Sequence, residues 1–528
     1  MKRKDGALVT MPKRVTFKPG PAGTRYVYLT TRAYRNAKGH PTSDEVAIGK
    51  LAADGISLIP NQRYFELFAA QNTVYPSPQS LLALGDTAVL SVLADKLKLI
   101  KLLEETTKDL APSVLTASLY MVLEGNVMYH IDTFCQERFL PYKVHLDSQR
   151  ISDLFASLSF DMREAFLRRW ISMRQEEEYI AYDVTSLSTY SGGIEDAEWG
   201  HNRDQEDLCQ INLGMFLGEK TRLPVYYQTY QGSILDKVHL AYMMASAAAL
   251  GISKMRFVFD RGFVTKDNLE YVSNKHLSFV SALPISRNDA VSLISYAAPI
   301  IRSSKNLVDN GLYAVSCPVE IDGLKVCAHI FFSSHKAAID EEIIYARISR
   351  LQYGLEGLEK DTKRIAKRYS EYFDVTLGKG DINFKRNSAK IDAKLAQTGY
   401  FILITNDFSL DAAGALAIYR DKDIIEKAFA GLKNYLDFKR MHTHSTITTD
   451  GKLFVGFISL ILRSEVRRAL SLRLQTANIS VDTALRELHK LKRITYADGS
   501  VVHTAVSKTQ REVLCSLGID IETLLASA

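Results

Sequence analysis

Two apolar runs constrain the fold of this chain more than anything else in it: YIAYDVTSLST at residues 179–189 and KMRFVFDRGF at 254–263. Both are rich in apolar, aromatic and β-branched side chains, the composition of a strand. Each carries one acid where that character ends. Asp183 sits where the first run gives way to small hydroxyl residues, and Asp260 closes the second, with Gly262 allowing a sharp exit. Between them, QINLGMFL and RLPVYYQTYQG read as two further strands, so the segment predicts an antiparallel meander followed by a helix over about 234–250. TKDNLEYVSNK is a second helix and LSFVSALP a further strand. Strands succeeded by helices imply a mixed α/β sheet whose strand ends gather polar residues at one rim.

A second stretch, YRDKDIIEKAFAGLK at 419–433, reads as one helix. At about 100° per residue, Tyr419, Lys422, Glu426 and Lys433 share an arc of roughly 60°, while Arg420, Lys427 and Asn434 point elsewhere. Ile418, Ile425, Phe429, Leu432 and Leu436 form an apolar stripe beside it that should seat the helix on a core. A carboxylate flanked by cations suits a site that holds a metal beside phosphate oxygens. The same spacing is also the ordinary pattern of a solvated, ion-paired helix face. Asp183, Asp260 and Glu426 together have the chemistry to hold two divalent ions, and Asp196, Asp204, Asp236 and Asp407 are rival acids.

Around these stretches the chain divides into six parts. Residues 1–75 form a β-rich module with a basic arm (Lys2, Arg3, Lys4, Lys13, Arg14, Lys18), and 76–175 are helical, a candidate DNA-binding region. Residues 176–285 and 398–475 make the α/β layer. An inserted segment at 286–397 interrupts it, opening irregularly and containing a hairpin that turns at Asp322-Gly323. A long helix follows, with a seven-residue seam of Ile344, Ile348, Leu351, Leu355, Leu358, Ile365 and Tyr369 and a basic far end, Lys360 to Arg368. GYFILITND returns to the layer as a strand, after which Ser409 begins the helix leading to Glu426. The tail, 476–528, holds two short helices, LRELHKLKRI and one opened by a capping box at Ser507 to Gln510. Lys plus Arg number 66 against 60 Asp plus Glu, a formal charge of +6 that permits a nucleic-acid partner without demanding one. Five scattered cysteines without CxxC spacing indicate neither a zinc site nor a disulfide framework. His442 and His444, with no third His or Cys near, read as a polar or phosphate contact. No run reaches the roughly 18 apolar residues of a membrane span, so the expectation is a cytoplasmic, nucleoid-associated protein with no membrane partner.

The order DVTSL, FVFDRGF, a long insertion and then the Tyr419, Glu426 and Lys433 seam resembles the DDE transposases of bacterial insertion sequences that bear a YREK signature. The resemblance covers roughly 175–470, and Lys422 stands where the signature has arginine, keeping the charge but losing the bidentate fork. It implies a multidomain α+β protein with an RNase H-like mixed α/β core interrupted by an insertion domain, preceded by β-rich and helical modules and followed by a helical tail. It further implies that Asp183, Asp260 and Glu426 are catalytic metal ligands for two Mg2+ or Mn2+ ions, and that Tyr419, Lys422 and Lys433 contact DNA. The implied activity is that of a mobile-element endonuclease: cleavage of double-stranded DNA at inverted terminal repeats and strand transfer into target DNA by a homodimer. An RNase H-like nuclease or resolvase without strand transfer, or a silent transposase-derived DNA-binding protein, are the alternatives.

Overall fold

The structure, a computed structural model, describes residues 9–36, 38–68, 78–174, 179–251, 256–356, 369–377, 382–473 and 479–526. The chain forms two compact units, one from residues 1–86, 486–512 and 521–528 and the other from 87–485 and 513–520.

The smaller unit opens with four antiparallel strands in chain order, β1 (Val15–Pro19), β2 (Arg25–Arg35), β3 (Pro41–Leu51) and β4 (Leu58–Pro60), as the amino-terminal β-like runs predict. Val27, Ile48 and Leu58 are its buried core. A second sheet in this unit departs from expectation. Strand β5 (Pro78–Ala83) pairs with Lys492–Tyr496, which pairs with Val501–His503. The run LRELHKLKRI is therefore not one helix: the helix ends at His489, and KRITY, with its β-branched and aromatic residues, joins a sheet instead. The capping box is present, with Gln510 N–H donating to Ser507 Oγ at 3.1 Å and Ser507 N–H to Gln510 Oε1 at 2.8 Å.

The larger unit is built on one nine-stranded sheet. Its strands are β6 (Tyr179–Thr189), β7 (Cys209–Gly218), β8 (Pro224–Gln231), β9 (Arg256–Phe259), β10 (Ser278–Leu283), β11 (Leu307–Asp309), β12 (Leu312–Ile321), β13 (Leu324–Ser333) and β16 (Tyr400–Thr405). They lie in the order β11-β12-β13-β16-β10-β9-β6-β7-β8. β6, β7 and β8 are the expected antiparallel meander, and β9 runs parallel to both β6 and β10. Every residue of β6 but Asp183 is buried.

Three expectations for the inserted segment are corrected. It opens on a helix, Asn288–Ala297, rather than irregularly. Its hairpin is not set apart from the layer, because β13 pairs antiparallel with β16 through Ile330↔Ile402 and neighbours, burying Ile330, Phe331, Ile402 and Leu403 in the common sheet. The boundary expected at 286 thus falls inside one hydrogen-bonded layer. The hairpin does turn at Asp322-Gly323, both with positive φ (51° and 86°), the conformation a two-residue turn of this hand requires. In the helix Ser334–Glu356, Ile344, Ile348, Leu351 and Leu355 face a local core with Tyr369, Tyr372, Phe373 and Ile391, so this part of the seam is satisfied within the chain. Phe373 and its neighbours belong to a two-stranded hairpin, β14 (Phe373–Leu377) with β15 (Ile382–Arg386). Leu358, Ile365 and the basic end at 360–368 lie outside the described residues, as do Lys2, Arg3 and Lys4.

Four helices position the site: α1 (Asp236–Ala249), α2 (Ala412–Asp421), α3 (Asp423–Ala430) and α4 (Thr446–Arg473). The helix before Glu426 begins at Ala412, not Ser409, because the Asp411 side chain caps it by accepting from Gly414 N–H at 2.7 Å. Ser409 belongs to the preceding turn, held by Asp407. α2 lies on the sheet through Ile418 and Tyr419, which pack on buried Tyr179, Val258 and Val280. Ile425, Phe429, Leu432 and Leu436 are buried as their spacing predicts, at about 1.5–3 kcal/mol for each fully buried side chain.

Candidate active site

Sheet register brings the first two acids together. In the parallel pair β6 and β9, Tyr182 lies opposite Phe259, so the next residue on each strand, Asp183 and Asp260, emerges at the same level about 5 Å apart in backbone. Each carboxylate is steadied by the amide that follows it. Asp183 Oδ1 accepts from Val184 N–H at 2.8 Å, and Asp260 Oδ1 accepts from Arg261 N–H at 2.8 Å.

Their surroundings then diverge. The Asp183 side chain is 16% exposed, and Arg203 Nη1 reaches it at 3.3 Å. Arg203 also donates to the Val184 carbonyl and holds Asp236 Oδ2 at 2.6 Å, and Tyr230 donates to the other oxygen of Asp236 at 2.7 Å. Burial pushes the Asp183 carboxyl above the usual range, and Arg203 pulls only partly against it; the nearby Asp260 charge adds to the rise. For Asp260, burial also pushes upward, but the Lys422 ammonium, the Arg261 amide and the Tyr419 hydroxyl outweigh it, so its pKa falls below the ordinary value. Tyr419 donates to Asp260 Oδ1 at 3.1 Å, and its own pKa is raised by burial and by that carboxylate.

Glu426 is placed by a helix rather than a strand, and the 419–433 stretch is not the single regular helix its spacing predicts. It breaks at Lys422, which closes α2 and opens α3 while keeping helical dihedrals (φ −53°, ψ −25°). The amides of Lys422 and Ile425 bond to carbonyls three residues back, a local tightening. After Ala430 the chain widens into a π turn, Gly431–Tyr435, closed by Leu436 N–H to the Gly431 carbonyl at 3.0 Å. These changes in winding redistribute the expected stripe. The Lys422 side chain is 9% exposed, and its ammonium lies 3.7 Å from Asp260 Oδ1 and 3.8 Å from Glu426 Oε1, a cation between two of the three acids. Glu426 is 62% exposed, with the Lys422 pair as its tether. Lys433 is turned to Asp204, 2.5 Å away; burial lowers its pKa and Asp204 works against that fall.

Two rival acids therefore have structural partners, Asp204 with Lys433 and Asp236 with Arg203. Arg203, which sequence reasoning missed, and Asp204, which it offered only as a rival acid, lie on the loop between β6 and β7. Their only signal is the density of charge in EDAEWGHNRDQED, which does not say which partner each will meet. His442 is lowered in pKa by burial and by Lys452, and the His444 carbonyl accepts from Ser191 Oγ. Among the described residues, no three His, Cys, Asp or Glu side chains lie close enough together to hold a metal ion. The donors at this rim are nonetheless all carboxylate oxygens, the ligands hard divalent cations take, and the Lys422 ammonium stands between two of them.

The family model of the transposase DDE domain matches residues 174–462, more than half of the chain. The chain belongs to this family of DDE transposases. The match spans both strand acids and the helix that carries Glu426, which lie in one sheet-and-helix layer of the transposase. Among solved structures it is similar to a piggyBac transposase in a cryo-EM synaptic complex with hairpin DNA, at 12% identity and a TM-score of 0.36, covering 71% of this chain and 68% of that one. No curated protein matches it. Among the described residues, no helix of the transposase is long and apolar enough to cross a membrane.

Proposed function

We propose that this transposase cuts double-stranded DNA at the inverted terminal repeats of its element and joins the freed 3′-hydroxyl to target DNA at one site, with Asp183, Asp260 and Glu426 as its acids. The observation that carries this reading is the level placement of Asp183 and Asp260 on neighbouring parallel strands, with Glu426 linked to Asp260 through one ammonium. The strand order β8-β7-β6-β9-β10, three antiparallel strands followed by two parallel ones, supports an RNase H-like core.

The three carboxylates would hold two Mg2+ or Mn2+ ions, which when bound would polarise the phosphodiester and activate the attacking hydroxyl. The protein's own groups do the positioning. Asp183, kept from water beside Arg203, is oriented before substrate arrives. Exposed Glu426 has the freedom to close on the site when Lys422 gives way, and the released Lys422 ammonium then meets a DNA phosphate together with Tyr419 and Lys433. The Lys433–Asp204 pair holds that second ammonium at the same rim. Terminal-repeat recognition falls to the β-rich module and the helices of 76–175, and the working form on DNA is a homodimer.

The test is strand transfer from a duplex with a pre-cut 3′-hydroxyl end. Asp183→Ala, Asp260→Ala and Glu426→Gln should each abolish joining while DNA binding persists. A variant that joined at the parent rate would remove its residue from the triad, and cleavage without joined product by the parent chain would reduce the protein to a nuclease.

A further inference from the structure

A second cationic site lies around the helix from Glu426. A cavity of about 90 Å3, with room for a phosphate group, is lined by Arg222, Arg420, Lys427, Arg467 and Arg468 against only two acids, Asp421 and Asp423. Two of the cations are already neutralised: Lys427 by Asp423 at 2.5 Å, and Arg468 by Glu465 at 2.6 Å. Arg420 reaches Asp309 only at 4.0 Å, with both side chains largely exposed.

The remaining two cations are what mark this as a binding site. Among the described residues no carboxylate pairs with Arg222 or Arg467. Arg467 is half-buried on α4, and its Nη1 donates to the Lys427 carbonyl at 2.6 Å. Behind it stands buried Arg463, whose Nη2 is held by Asp482 and whose plane lies over the Tyr435 ring, while Nε and Nη1 have no hydrogen-bond partner among the described residues. Burial, with the Arg463 charge added, lowers the Arg467 pKa. Arg222 is exposed on the turn between β7 and β8, in the left-handed region (φ 56°). For Arg467, partial burial with no carboxylate paired to it makes the charge costly to keep, and a bound anion would offset that cost, with Arg222 the solvent-facing cation of the same cavity.

We infer that this cavity binds a backbone phosphate of the DNA strand that enters the active site, a few nucleotides from the reacting phosphate. Arg420 and Lys427 each follow by one residue a member of the Tyr419 and Glu426 pair, so their stripe is turned by about 100° on the same helical path. A helix is about 10 Å across, about three phosphates at 3.4 Å per nucleotide, so one strand reaches both places. The inference rests on the DNA-processing reading above.

The experiment is a salt titration of the full-length transposase binding a fluorescein-labelled random-sequence duplex. Removing one cation that meets a phosphate should lower the slope of log K against log salt by about 0.9. Arg222→Gln, which disturbs no side-chain pair among the described residues, should lower the slope by about that amount, and Arg222→Gln with Arg467→Gln by up to twice it. Arg347→Gln, on the helix Ser334–Glu356 and already paired with Glu371, should change it by less. Slopes for both cavity variants equal to that of Arg347→Gln would overturn the inference and leave the transposition reading standing. A parent chain that bound no duplex would overturn both. Inorganic phosphate that raised the melting temperature of the parent but not of Arg222→Gln, with the DNA slopes unmoved, would mark a site for small anions and also overturn it.

Discussion

The two strand acids and the helix acid reach the same rim by different physics. Asp183 sits inside a strand ladder and Asp260 one residue past the end of its neighbour, held by the Arg261 amide, whereas Glu426 stands on the exposed edge of α3 and is tied inward by one lysine. Strand register gives a defined position. A helix edge gives a direction and some freedom. In the function proposed above, a site that must admit ions and a DNA strand would use both, a strand-held pair to define it and an exposed third group to complete it.

That contrast can be broken most strongly at Asp183. Asp183→Asn should lower strand transfer by ~10³-fold or more, and Glu426→Gln should do the same, because the acids act as a unit; a pre-cut-end joining assay checks both. Stability should separate them. Asp183→Ala removes a largely buried partner of Arg203 and should cost about 2–3 kcal/mol in urea unfolding, while Glu426→Gln, at an exposed pair, should stay within about 0.5 kcal/mol.

A buried charge away from the site offers a sharper control. Lys452, on α4, is 1% exposed, its Nζ bonds to the Asn126 side chain at 3.3 Å, and burial lowers its pKa to about 7, with Asp437 a weaker opposing influence. Between about pH 7 and the unfolded value near 10.4 the unfolded chain binds the extra proton, so stability contributed by this group rises with pH. Lys452→Met should flatten that slope and raise stability at pH 7 by about 2 kcal/mol. Urea melts across this range check it.

A smaller effect than that at Lys452 belongs to the tether. Asp260 has a lowered pKa, so its contribution is present above the unfolded carboxylate value near 3.9 and is lost as pH falls through the folded one. Lys422→Met should cost about 1 kcal/mol at pH 7 and weaken that acid-side dependence, both read from urea melts at pH 7 and below.

How far the sequence reached follows from the range of each interaction. The meander, both strand-end acids, the Asp322-Gly323 turn and the Ser507 capping box are written in a few consecutive residues, and each could be read there. The apolar stripe of Ile425 to Leu436 was legible for the same reason. The winding changes at Lys422 and Gly431 were not, because both sites keep helical dihedrals and no proline marks the first. Arg203 finding Asp183, Asp204 finding Lys433, and Lys492–Tyr496 pairing with β5 depend on segments brought from far along the chain. The insertion boundary at 286 failed for the opposite cause: a hairpin and a strand of the main sheet look alike until their neighbour, β16, is known.

In the proposed function, three acids from two strand ends and one helix make a single divalent-cation site. Crystals soaked in Mn2+ and measured at the manganese absorption edge test it directly. An anomalous peak about 2.1–2.2 Å from carboxylate oxygens of both Asp183 and Asp260, with Glu426 drawn to it and the Lys422 ammonium displaced, is the predicted result. A peak elsewhere, with Lys422 still seated between Asp260 and Glu426, would contradict it.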